Sequence, residues 1–402
     1  MNLQKDLVIV GGARTAMTEY SGTPGYGLFA DTGANQLGAH AITAALERAG
    51  AAPDQVDHVV MGNALQTEKG AIYGARHAAL HAGIPHTVPA LTVNRLCGSG
   101  MQSIISSAQM LELGEAEVCV AGGMENMSQA PHILRGGRGG FRLGAAPPLE
   151  DYLFESLMDP WCGLFMAQTA EKLATQHEIS REEQDAFALR SHQLGAAAVE
   201  SGIFADEIVP VTVKRRREEV VVDTDDHIKP ETTAESLAGL RAAFGKEGTV
   251  TAGNASGIVD GAAAVVLTTA ERAAAEGWTP RARIKSWGIA GVEPDIMGIG
   301  PVPAIGQALE RAGIGQDDVD FYEINEAFSA QYLAVEKVLG LDRDKCNVNG
   351  GAVAIGHPLG ATGTRLVLTL VHQLERAGKS LGMASACIGG GQGIAVLIER
   401  VG

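Results

Sequence analysis

Two cysteines of the sequence lie in glycine-rich segments that could support nucleophilic or proton-transfer chemistry. Cys97 belongs to residues 93–100 (Val-Asn-Arg-Leu-Cys-Gly-Ser-Gly), directly before a helical run at residues 101–113. The N–H groups and dipole at that helix start would favour a thiolate, and the glycines would let a substrate approach closely. A small buried residue at a tight turn is the alternative, but the glycine frame favours a nucleophile.

The second cysteine, Cys387, ends a predicted strand at residues 383–387 and is followed by Ile-Gly-Gly-Gly-Gln-Gly. A thiol at this position could carry a proton beside exposed backbone N–H groups. Phosphate binding by the glycines is the competing interpretation. It lacks support because neither a Walker-type lysine nor a helical pattern follows the glycines.

A histidine and an asparagine occupy comparable positions. His357 stands between glycine and proline just before a helix, where it could take a thiol proton or donate to an oxyanion. Asn325, in Glu-Ile-Asn-Glu-Ala-Phe, opens a helix after a strand and could orient a water or polarise a carbonyl. The alternatives are a solvated histidine at a helix start and an ordinary N-cap asparagine.

An internal repeat would position these segments. Ala-Leu-Glu-Arg-Ala-Gly at residues 45–50 recurs at residues 308–313, and Val56-Asp57 recurs at the same offset as Val319-Asp320. Each copy predicts a helix that ends at a C-cap glycine, followed by a short turn and a strand. Alternating strands and helices predict mainly parallel sheets covered by helices, and two packed repeats would form a layered α/β sandwich.

The first repeat contains a long insertion. In the second repeat, strands at residues 383–387 and 394–398 follow each other across a glycine turn, whereas the corresponding strands at residues 118–121 and 262–268 are far apart. We therefore predict an N-terminal repeat at residues 1–122 plus 251–275, an inserted loop domain at residues 123–250, and a C-terminal repeat at residues 276–402. Inside the insertion, residues 131–148 predict an extended loop, and residues 166–201 predict helix with a capping box at Ser180.

Composition limits the class of protein. The 402 residues are 46% hydrophobic but only 4% aromatic, with 52 glycines, which is typical of a close-packed α/β protein. The net charge of −16 argues against nucleic-acid binding. No signal-peptide pattern and no apolar run long enough to cross a membrane is evident, so we expect a cytoplasmic protein without a membrane partner.

The remaining cysteines and histidines predict no further site. Five cysteines, far apart and without a Cys-x-x-Cys pair, indicate neither a disulfide framework nor a metal site. Cys119, Cys162 and Cys346 are expected to be buried small hydrophobic residues. His192 and His372 fall on amphipathic helices, where we expect them to be solvated.

Taken together, these motifs resemble those of the thiolase family. Asn-Arg-Leu-Cys-Gly-Ser-Gly resembles its nucleophile motif, Asn-Glu-Ala-Phe its water-holding motif, Gly-His-Pro its histidine motif and Cys-Ile-Gly-Gly-Gly its second-cysteine motif. Residues 250–257 are similar to a stretch that the family places against coenzyme A. The resemblance covers essentially the whole chain and implies a thiolase-like αβαβα sandwich of two repeated domains with an inserted loop domain.

The resemblance also implies roles for the site residues. Cys97 would attack a thioester and become acylated, and His357 would activate it. With a water held by Asn325, His357 would also stabilise the enolate oxygen. Cys387 would remove a proton from C2 of acetyl-CoA in synthesis and return it in cleavage. The N–H groups of Cys97 and Gly389 would form a second oxyanion hole at the acyl-enzyme carbonyl.

Coenzyme A is implied as a substrate, with CoA thioesters as partners and no permanently bound cofactor. Its expected contacts run along the pantetheine and adenine path: Leu157, Met166, Lys229, Ser236, Phe244, Ala252, Ser256, Ala327 and Phe328. Lys229 departs from the family, which often has arginine there, and keeps the charge but not the planar fork. The basic run at residues 214–217 could also meet phosphates, or it could be the solvated edge of a strand.

Phe165 is a second departure, because short-chain acetoacetyl-CoA thiolases often have histidine before the methionine. It favours a 3-ketoacyl-CoA thiolase over an acetoacetyl-CoA-specific acetyl-CoA C-acetyltransferase. A decarboxylating ketosynthase would need a second histidine where this chain has Asn325. A non-catalytic acyl-CoA-binding or lipid-binding relative need not keep both cysteines, and a thiol–disulfide enzyme would need a Cys-x-x-Cys pair. The resemblance further suggests a homodimer or homotetramer, with residues 131–148 as a candidate contact.

Overall fold

Side chains of the first strand alternate between two cores, which places that strand between layers of helices. Leu7 and Ile9 pack into one core, whereas Val8 and Val10 pack into another on the opposite face.

The computed structural model describes residues 3–215, 218–245 and 247–402. Its strands are β1 Leu7–Arg14, β2 Thr18–Glu19, β3 His58–Gly62, β4 Ala90–Val93, β5 Val118–Glu125, β6 His132–Ile133, β7 Glu150–Asp151, β8 Met158–Asp159, β9 Leu164–Phe165, β10 Val211–Arg215, β11 Glu218–Val222, β12 Val259–Thr269, β13 Ala282–Gly291, β14 Phe321–Ile324, β15 Leu381–Ile388 and β16 Gln392–Arg400.

The two repeat helices end at the glycines that the sequence predicts, whereas the helical run predicted at residues 166–201 is two helices. Gly50 and Gly313 both adopt the left-handed conformation, with φ of 71° and 67°, and terminate the first helix of each repeat. The capping box at Ser180 is confirmed. The helices are α1 Ala34–Ala49, α2 Gly74–His81, α3 Ser99–Leu113, α4 Tyr152–Ser156, α5 Met166–Gln176, α6 Arg181–Glu200, α7 Ala234–Ala238, α8 Ala270–Glu276, α9 Pro301–Ala312, α10 Ser329–Leu339, α11 Ala352–Ile355 and α12 Leu359–Ala377.

The strand order confirms the internal repeat. The main sheet runs β14-β15-β16-β13-β1-β12-β5-β3-β4, so the order β1-β12-β5-β3 in the first half corresponds to β13-β16-β15-β14 in the second. A parallel bridge from Tyr322 to Cys346 takes the place of the β3–β4 pairing. Only two residue pairs, Val8 with Arg283 and Ile9 with Ala282, join the halves between β1 and β13.

The expectation of mainly parallel sheets is wrong. Among the strands of the described residues, parallel pairing is confined to β3 with β4 and β5, and to β14 with β15, apart from two isolated parallel bridges. The strands at the middle of each half pair antiparallel: β1 with β12, β12 with β5, β13 with β16, and β15 with β16. The closing strand of the second repeat returns through a tight hairpin, which requires antiparallel pairing.

Three cores define five layers. The first core packs α1 against one face of the first half-sheet, and the third packs α9 against the outer face of the second half-sheet. The central core contains α3 and α12 between the two half-sheets, with Ile104 and Leu366 among its buried side chains. The αβαβα arrangement is therefore observed. The assignment of residues 123–250 to a separate inserted domain, with its boundaries, stays a prediction.

Glycines let the two central helices touch backbone to backbone near their N-termini. A Cβ atom at Gly100 would lie 2.5 Å from the backbone N of Thr364, and one at Gly363 would lie 2.4 Å from that of Met101. Side chains at these positions would force the helices apart. This close crossing places the segment just before α3, which contains Cys97, next to the segment just before α12, which contains His357.

Three expectations about individual residues are wrong. His192 and His372 are buried, not solvated: His192 lies under the ring of His227, and His372 lies on α12 beside the guanidinium of Arg281. Cys162 is half-exposed in the turn between β8 and β9. Cys119 and Cys346 are buried as expected. Among the described helices, none is long and apolar enough to cross a membrane.

Candidate active site

The nucleophile turn that carries Cys97 is held in a strained conformation. Cys97 occupies a single 3₁₀ turn, Leu96–Gly98, ahead of α3. Leu96 has φ of 47°, which is uncommon for a residue with a branched side chain. Asn94 stabilises this conformation, because its Oδ1 accepts the Leu96 N–H at 2.9 Å and its Nδ2 donates to the Ala64 carbonyl at 3.1 Å. The strain therefore presents the Cys97 side chain in one orientation.

The Cys97 thiol is protonated at neutral pH. Burial raises its pKa to about 11, and the negative charge of Glu125 adds to the increase, although the Gly389 N–H hydrogen bond opposes it. The start of the helix alone therefore does not lower the pKa of this thiol into the neutral range. A neighbouring base has to take the proton when the sulfur attacks.

His357 is the candidate for that base, and its ring is neutral; Leu359, two residues further on, packs in one cluster with Cys97. The ring is buried, and burial together with the charge of Arg365 lowers its pKa to about 3. Its Nδ1 lies 2.6 Å from Thr362 Oγ1, which donates its own proton to the Pro358 carbonyl at 3.0 Å. Thr362 then accepts from Nδ1–H, so the acceptor lone pair of the ring is on Nε2. The alternative of a solvated histidine at a helix start is wrong.

Asn325 faces the same ring nitrogen. Its backbone N–H donates to the Ser385 carbonyl at 2.9 Å, and its side-chain Nδ2 lies 3.4 Å from His357 Nε2. Its Oδ1 is buried without a hydrogen-bond partner among the described residues. The helix that follows begins at Ser329 with Phe328 as N-cap, so the N-cap interpretation of Asn325 is wrong.

Cys387 lies at the end of β15 and is fully buried against Met297 and Ala327. Burial raises the pKa of its thiol well above the usual range, and the nearby Cys97 sulfur adds to the increase. The resting group is a neutral thiol within electrostatic reach of Cys97. The glycines that follow form a hairpin turn into β16, with Gly390 and Gly391 at φ of 80° and 83°. No helix follows them, so the phosphate-binding interpretation is wrong.

An apolar cavity of about 300 Å³ opens onto His357. It is lined by six of the residues expected to contact coenzyme A: Leu157, Met166, Phe244, Ala252, Ser256 and Phe328. Ala327 lies just behind, since its carbonyl accepts the Ser256 N–H at 3.0 Å and its side chain packs on Cys387. Met127, Leu153, Phe154 and Leu359 also line the cavity and were not predicted, because nothing local marks them as binding residues.

Three aromatic rings form one wall of the cavity. The ring of Phe165 lies 4.6 Å from that of Phe154 and 5.2 Å from that of Phe244, centroid to centroid. Such contacts hold flat apolar surfaces in fixed positions. Phe165 therefore contributes to a packed apolar wall and not to a polar contact.

Besides Ala327, two of the residues expected to contact coenzyme A do not line this cavity. The Lys229 ammonium bonds Glu19 Oε2 at 3.2 Å and lies 4.1 Å from the centre of the Tyr26 ring. Ser236 donates to the Thr233 carbonyl at 2.8 Å in the cap of α7. Lys214 lies along a separate groove beside α1, and Arg215 donates to the Gly27 carbonyl. Arg216 and Arg217, the rest of that basic run, lie outside the described residues.

Glu125 was missed from the sequence, although it ends β5 at the same edge as the other site residues. It is buried and accepts four hydrogen bonds of 2.8 to 3.0 Å, from Asn63 Nδ2 and the N–H groups of Ala64, Leu65 and Gly360. It therefore ties the loop after β3 to the start of α12, next to His357. Its position at a strand end was the available signal. Within the described residues, no cluster of three or more potential metal ligands occurs.

Comparisons with known proteins agree with this geometry. Residues 7–271 match the family model described as thiolase, N-terminal domain, and residues 278–400 match thiolase, C-terminal domain. The chain is 49% identical over 399 residues to human mitochondrial 3-ketoacyl-CoA thiolase, which covers 99% of each protein. It is 50% identical over 398 residues to acetyl-CoA acetyltransferase of Escherichia coli, which covers 99% of this chain and 100% of that protein. The crystal structure of human mitochondrial 3-ketoacyl-CoA thiolase in complex with CoA is similar at a TM-score of 0.96 and 49% identity, with 100% of both chains covered.

Fold and relatives together define an acyltransferase. The chain belongs to the thiolase family. The names of its relatives divide between 3-ketoacyl-CoA thiolase and acetyl-CoA acetyltransferase, and both activities are compatible with the site described above.

Proposed function

We propose that the protein is a 3-ketoacyl-CoA thiolase that passes an acyl group through Cys97 to coenzyme A. The observation that carries the proposal is the convergence of four groups from both repeats beside one apolar cavity. Cys97 comes from the first repeat, and His357, Asn325 and Cys387 come from the second. The same residues would run the Claisen condensation in reverse.

In the first half-reaction, the Cys97 sulfur attacks C3 of a 3-ketoacyl-CoA and its proton passes to His357 Nε2. The C2–C3 bond then breaks, and its electron pair forms the enolate of acetyl-CoA. The ring N–H of protonated His357, with a water held by Asn325, stabilises the enolate oxygen. Cys387, a neutral thiol because of its burial, donates its proton to C2 and releases acetyl-CoA.

In the second half-reaction, the thiol of free coenzyme A attacks the acyl group on Cys97. The carbonyl oxygen becomes negative in this step, and the N–H groups of Cys97 and Gly389 donate to it. The Gly389 N–H already points at the Cys97 sulfur, which supports this role. Cys387 takes the proton of the incoming thiol, and the bond between the Cys97 sulfur and the acyl carbon breaks. The proton held by His357 returns to the Cys97 sulfur, and the acyl-CoA product leaves.

Coenzyme A acts here as a substrate and not as a resident cofactor. The apolar cavity suits the pantetheine arm, since its wall presents Leu157, Met166 and Phe244. Lys229 would meet the nucleotide end only after its ammonium leaves Glu19, so we assign it a weaker contribution than the cavity residues. Ser236, exposed at the start of α7, would contact only the outer part of the ligand.

The packed aromatic wall supports substrates longer than acetoacetyl-CoA. Phe165 supplies an apolar surface where a histidine would supply a polar group, and a longer acyl chain gains from apolar contact. The alternative, an acetyl-CoA acetyltransferase confined to acetoacetyl-CoA, is favoured by the name of the Escherichia coli relative. Rates of thiolysis with free coenzyme A should separate the two.

The test uses a series of 3-ketoacyl-CoA substrates of increasing chain length with the purified protein and a Cys97→Ser control. We expect medium-chain substrates to be cleaved with kcat/KM at least comparable to that of acetoacetyl-CoA, and Cys97→Ser to be nearly inactive on all of them. Activity confined to acetoacetyl-CoA would overturn the chain-length assignment. Near-normal turnover by Cys97→Ser would overturn the cysteine mechanism itself.

We also propose that the protein is a homo-oligomer, either a dimer or a tetramer. Strand β4 is the last strand at one end of the sheet, and Leu91 on it is 41% exposed; α2, which packs against β4, also exposes Leu80. A second copy could pair with this edge about a two-fold axis. The loop at residues 131–148 exposes Phe141 and Leu143 and offers a second contact for a tetramer. Sedimentation velocity of the protein and of Leu91→Asp tests this, and a monomeric parent protein would refute it.

A cytoplasmic location remains our proposal for the cell. It is supported by the five cysteines, which form no disulfide. The human relative, by contrast, is named as mitochondrial. Cell fractionation followed by immunoblotting tests the proposal, and recovery in a membrane-bounded compartment would contradict it.

A further inference from the structure

A hydrogen bond joins the two repeats at the edge of the site. Arg95, two residues before the nucleophile, donates through one terminal guanidinium nitrogen to Gln392 Oε1 at 2.8 Å. Through its Nε, the same guanidinium donates to Gln102 Oε1 at 2.8 Å. Gln102 belongs to α3 of the first repeat, whereas Gln392 begins β16 of the second. One arginine thus holds one partner within its own repeat and one across the junction.

The position of this bond relates it to the acyl-enzyme carbonyl. The two N–H donors expected there belong to Cys97 and Gly389, on opposite sides of the junction. Arg95 is part of the turn that carries Cys97, since its carbonyl accepts the Gly98 N–H at 2.9 Å. Gln392 directly follows the glycines after Gly389 and pairs with Ile388 across the hairpin. The Arg95–Gln392 bond therefore links the two chain segments whose separation sets the spacing of the two donors.

The glycine turn itself does little to fix that spacing. Gly390 and Gly391, which connect Gly389 to Gln392, both have positive φ and no side chain of their own. The Gly389 N–H also donates to the Cys97 sulfur, and an apolar contact lies beside it: a Cβ at Gly98 would lie 2.6 Å from Ile388 Cδ1. Apolar contact limits close approach but does not set direction, whereas a hydrogen bond from a planar guanidinium sets both.

We propose that Arg95 and Gln392 are positioning residues that set the geometry of the oxyanion hole formed by the N–H groups of Cys97 and Gly389. The inference rests on the proposed function, because that oxyanion hole belongs to the acyl-enzyme of the thiolase reaction. Neither side chain touches the reacting atoms in this account. They act by holding the two repeats in register at the one place where both contribute a donor.

The test compares Gln392→Ala with a matched control, Gln102→Ala, which removes a bond of the same type and length to the same arginine but within one repeat. The acyl-enzyme is formed on Cys97 from acetyl-CoA labelled at the carbonyl carbon. Its carbonyl stretching frequency is then measured by isotope-edited infrared spectroscopy, together with kcat and KM for thiolysis. Hydrogen bonds in an oxyanion hole lower that frequency, which makes it a direct report on the donors.

We expect the labelled carbonyl of Gln392→Ala to shift towards the frequency of a free thioester. We also expect its kcat to fall about tenfold, less than the loss of a whole donor would cause, while KM for coenzyme A stays within about twofold. Gln102→Ala should keep the parent frequency and kcat. Arg95→Lys, which keeps the charge but not the planar fork, should behave like Gln392→Ala.

Several results would overturn the proposal. One is an unshifted carbonyl and a normal kcat in Gln392→Ala; another is an equal effect from Gln102→Ala. A normal Arg95→Lys would also overturn it, because charge alone would then suffice. If Gln392→Ala does not fold, the frequency in Arg95→Lys decides. If the parent protein forms no acyl-enzyme on Cys97, the proposed function fails as well, so the two failures are distinguishable.

Discussion

The hydrogen bond between His357 and Thr362 gives a sharp prediction about catalysis. Thr362 is fully buried, and its Oγ1 lies 2.6 Å from His357 Nδ1. Thr362→Val removes the hydroxyl but preserves the shape and volume of the side chain. The Pro358 carbonyl, which also accepts from the hydroxyl, keeps hydrogen bonds of 2.9 and 3.0 Å from the N–H groups of residues 361 and 362. The substitution therefore acts mainly on the imidazole.

The expected magnitude follows from the charge that His357 acquires. When His357 takes the Cys97 proton, its Nδ1–H bond becomes a bond from a cation, worth about 1.5 to 3 kcal/mol. Its loss leaves the imidazolium less stable and allows the neutral ring to adopt the tautomer with the proton on Nε2, which cannot accept from Cys97. Acylation should slow by about 10- to 150-fold. Because the pKa of His357 is already lowered to about 3, the substitution can only lower it further.

Single-turnover acylation of Cys97 by a 3-ketoacyl-CoA, followed by quenched flow and mass spectrometry, isolates this step. Thr362→Ser is the matched control, since it keeps the hydroxyl, and it should acylate within a few-fold of the parent rate. KM for coenzyme A should change little in either variant. A Thr362→Val protein that acylates as fast as the parent, or a Thr362→Ser protein as slow as Thr362→Val, would refute the assignment of the Nδ1–H tautomer.

Three further outcomes are expected. The rate of alkylation of Cys97 by iodoacetamide should rise about tenfold per pH unit from pH 7 to 10, because a thiol with a pKa of about 11 gains thiolate throughout that range. A rate that reaches a plateau near neutral pH would contradict this pKa. Glu125→Ala should lower the free energy of unfolding in urea titrations by about 3 kcal/mol or more, since four buried donors lose their acceptor. The control Glu115→Ala, at an exposed position, should change the free energy of unfolding little. A loss below about 1 kcal/mol in Glu125→Ala would show that the donors find other partners. Phe165→His should lower kcat/KM for medium-chain substrates about tenfold relative to acetoacetyl-CoA, and an unchanged ratio would remove Phe165 from chain-length selection.

The site residues could be predicted from sequence because each is framed by local signals. Cys97, His357 and Cys387 all lie beside glycines at strand ends or helix starts, where the backbone conformation depends on few residues. The helix-ending glycines of the two repeats were visible for the same reason. Their convergence followed from the resemblance and from the repeat, and the crossing of α3 and α12 at Gly100 and Gly363 provides it physically.

The errors share a different cause, which is packing by segments remote in sequence. His372 lies on α12, and a helix between two sheets has no solvent face, so its polar positions are buried as well. The ring of His192 packs against the ring of His227, which lies in a later segment of the chain and not on the same helix. The antiparallel pairing of β1 with β12 depends on a strand that follows after the whole insertion. None of these partners is marked by spacing or composition.

The protonation states illustrate the same limit. From sequence, the helix start beside Cys97 predicted a thiolate, but the fold buries the sulfur and places Glu125 near it, and both raise the pKa. The electrostatic benefit of a helix terminus is small compared with the cost of burying a charge. A neutral thiol beside a neutral imidazole is the result, and it requires proton transfer within the site during attack.

The central claim, that Cys97 holds the acyl group while Cys387 moves the proton, is tested most directly with Cys387→Ala. This variant is incubated with acetyl-CoA, digested and analysed by mass spectrometry, in parallel with an assay of carbon–carbon bond cleavage. The account predicts an acetyl group on the peptide that contains Cys97 and no measurable cleavage of 3-ketoacyl-CoA. A folded Cys387→Ala protein with no acetyl group on Cys97, or with normal cleavage, would contradict this division of labour.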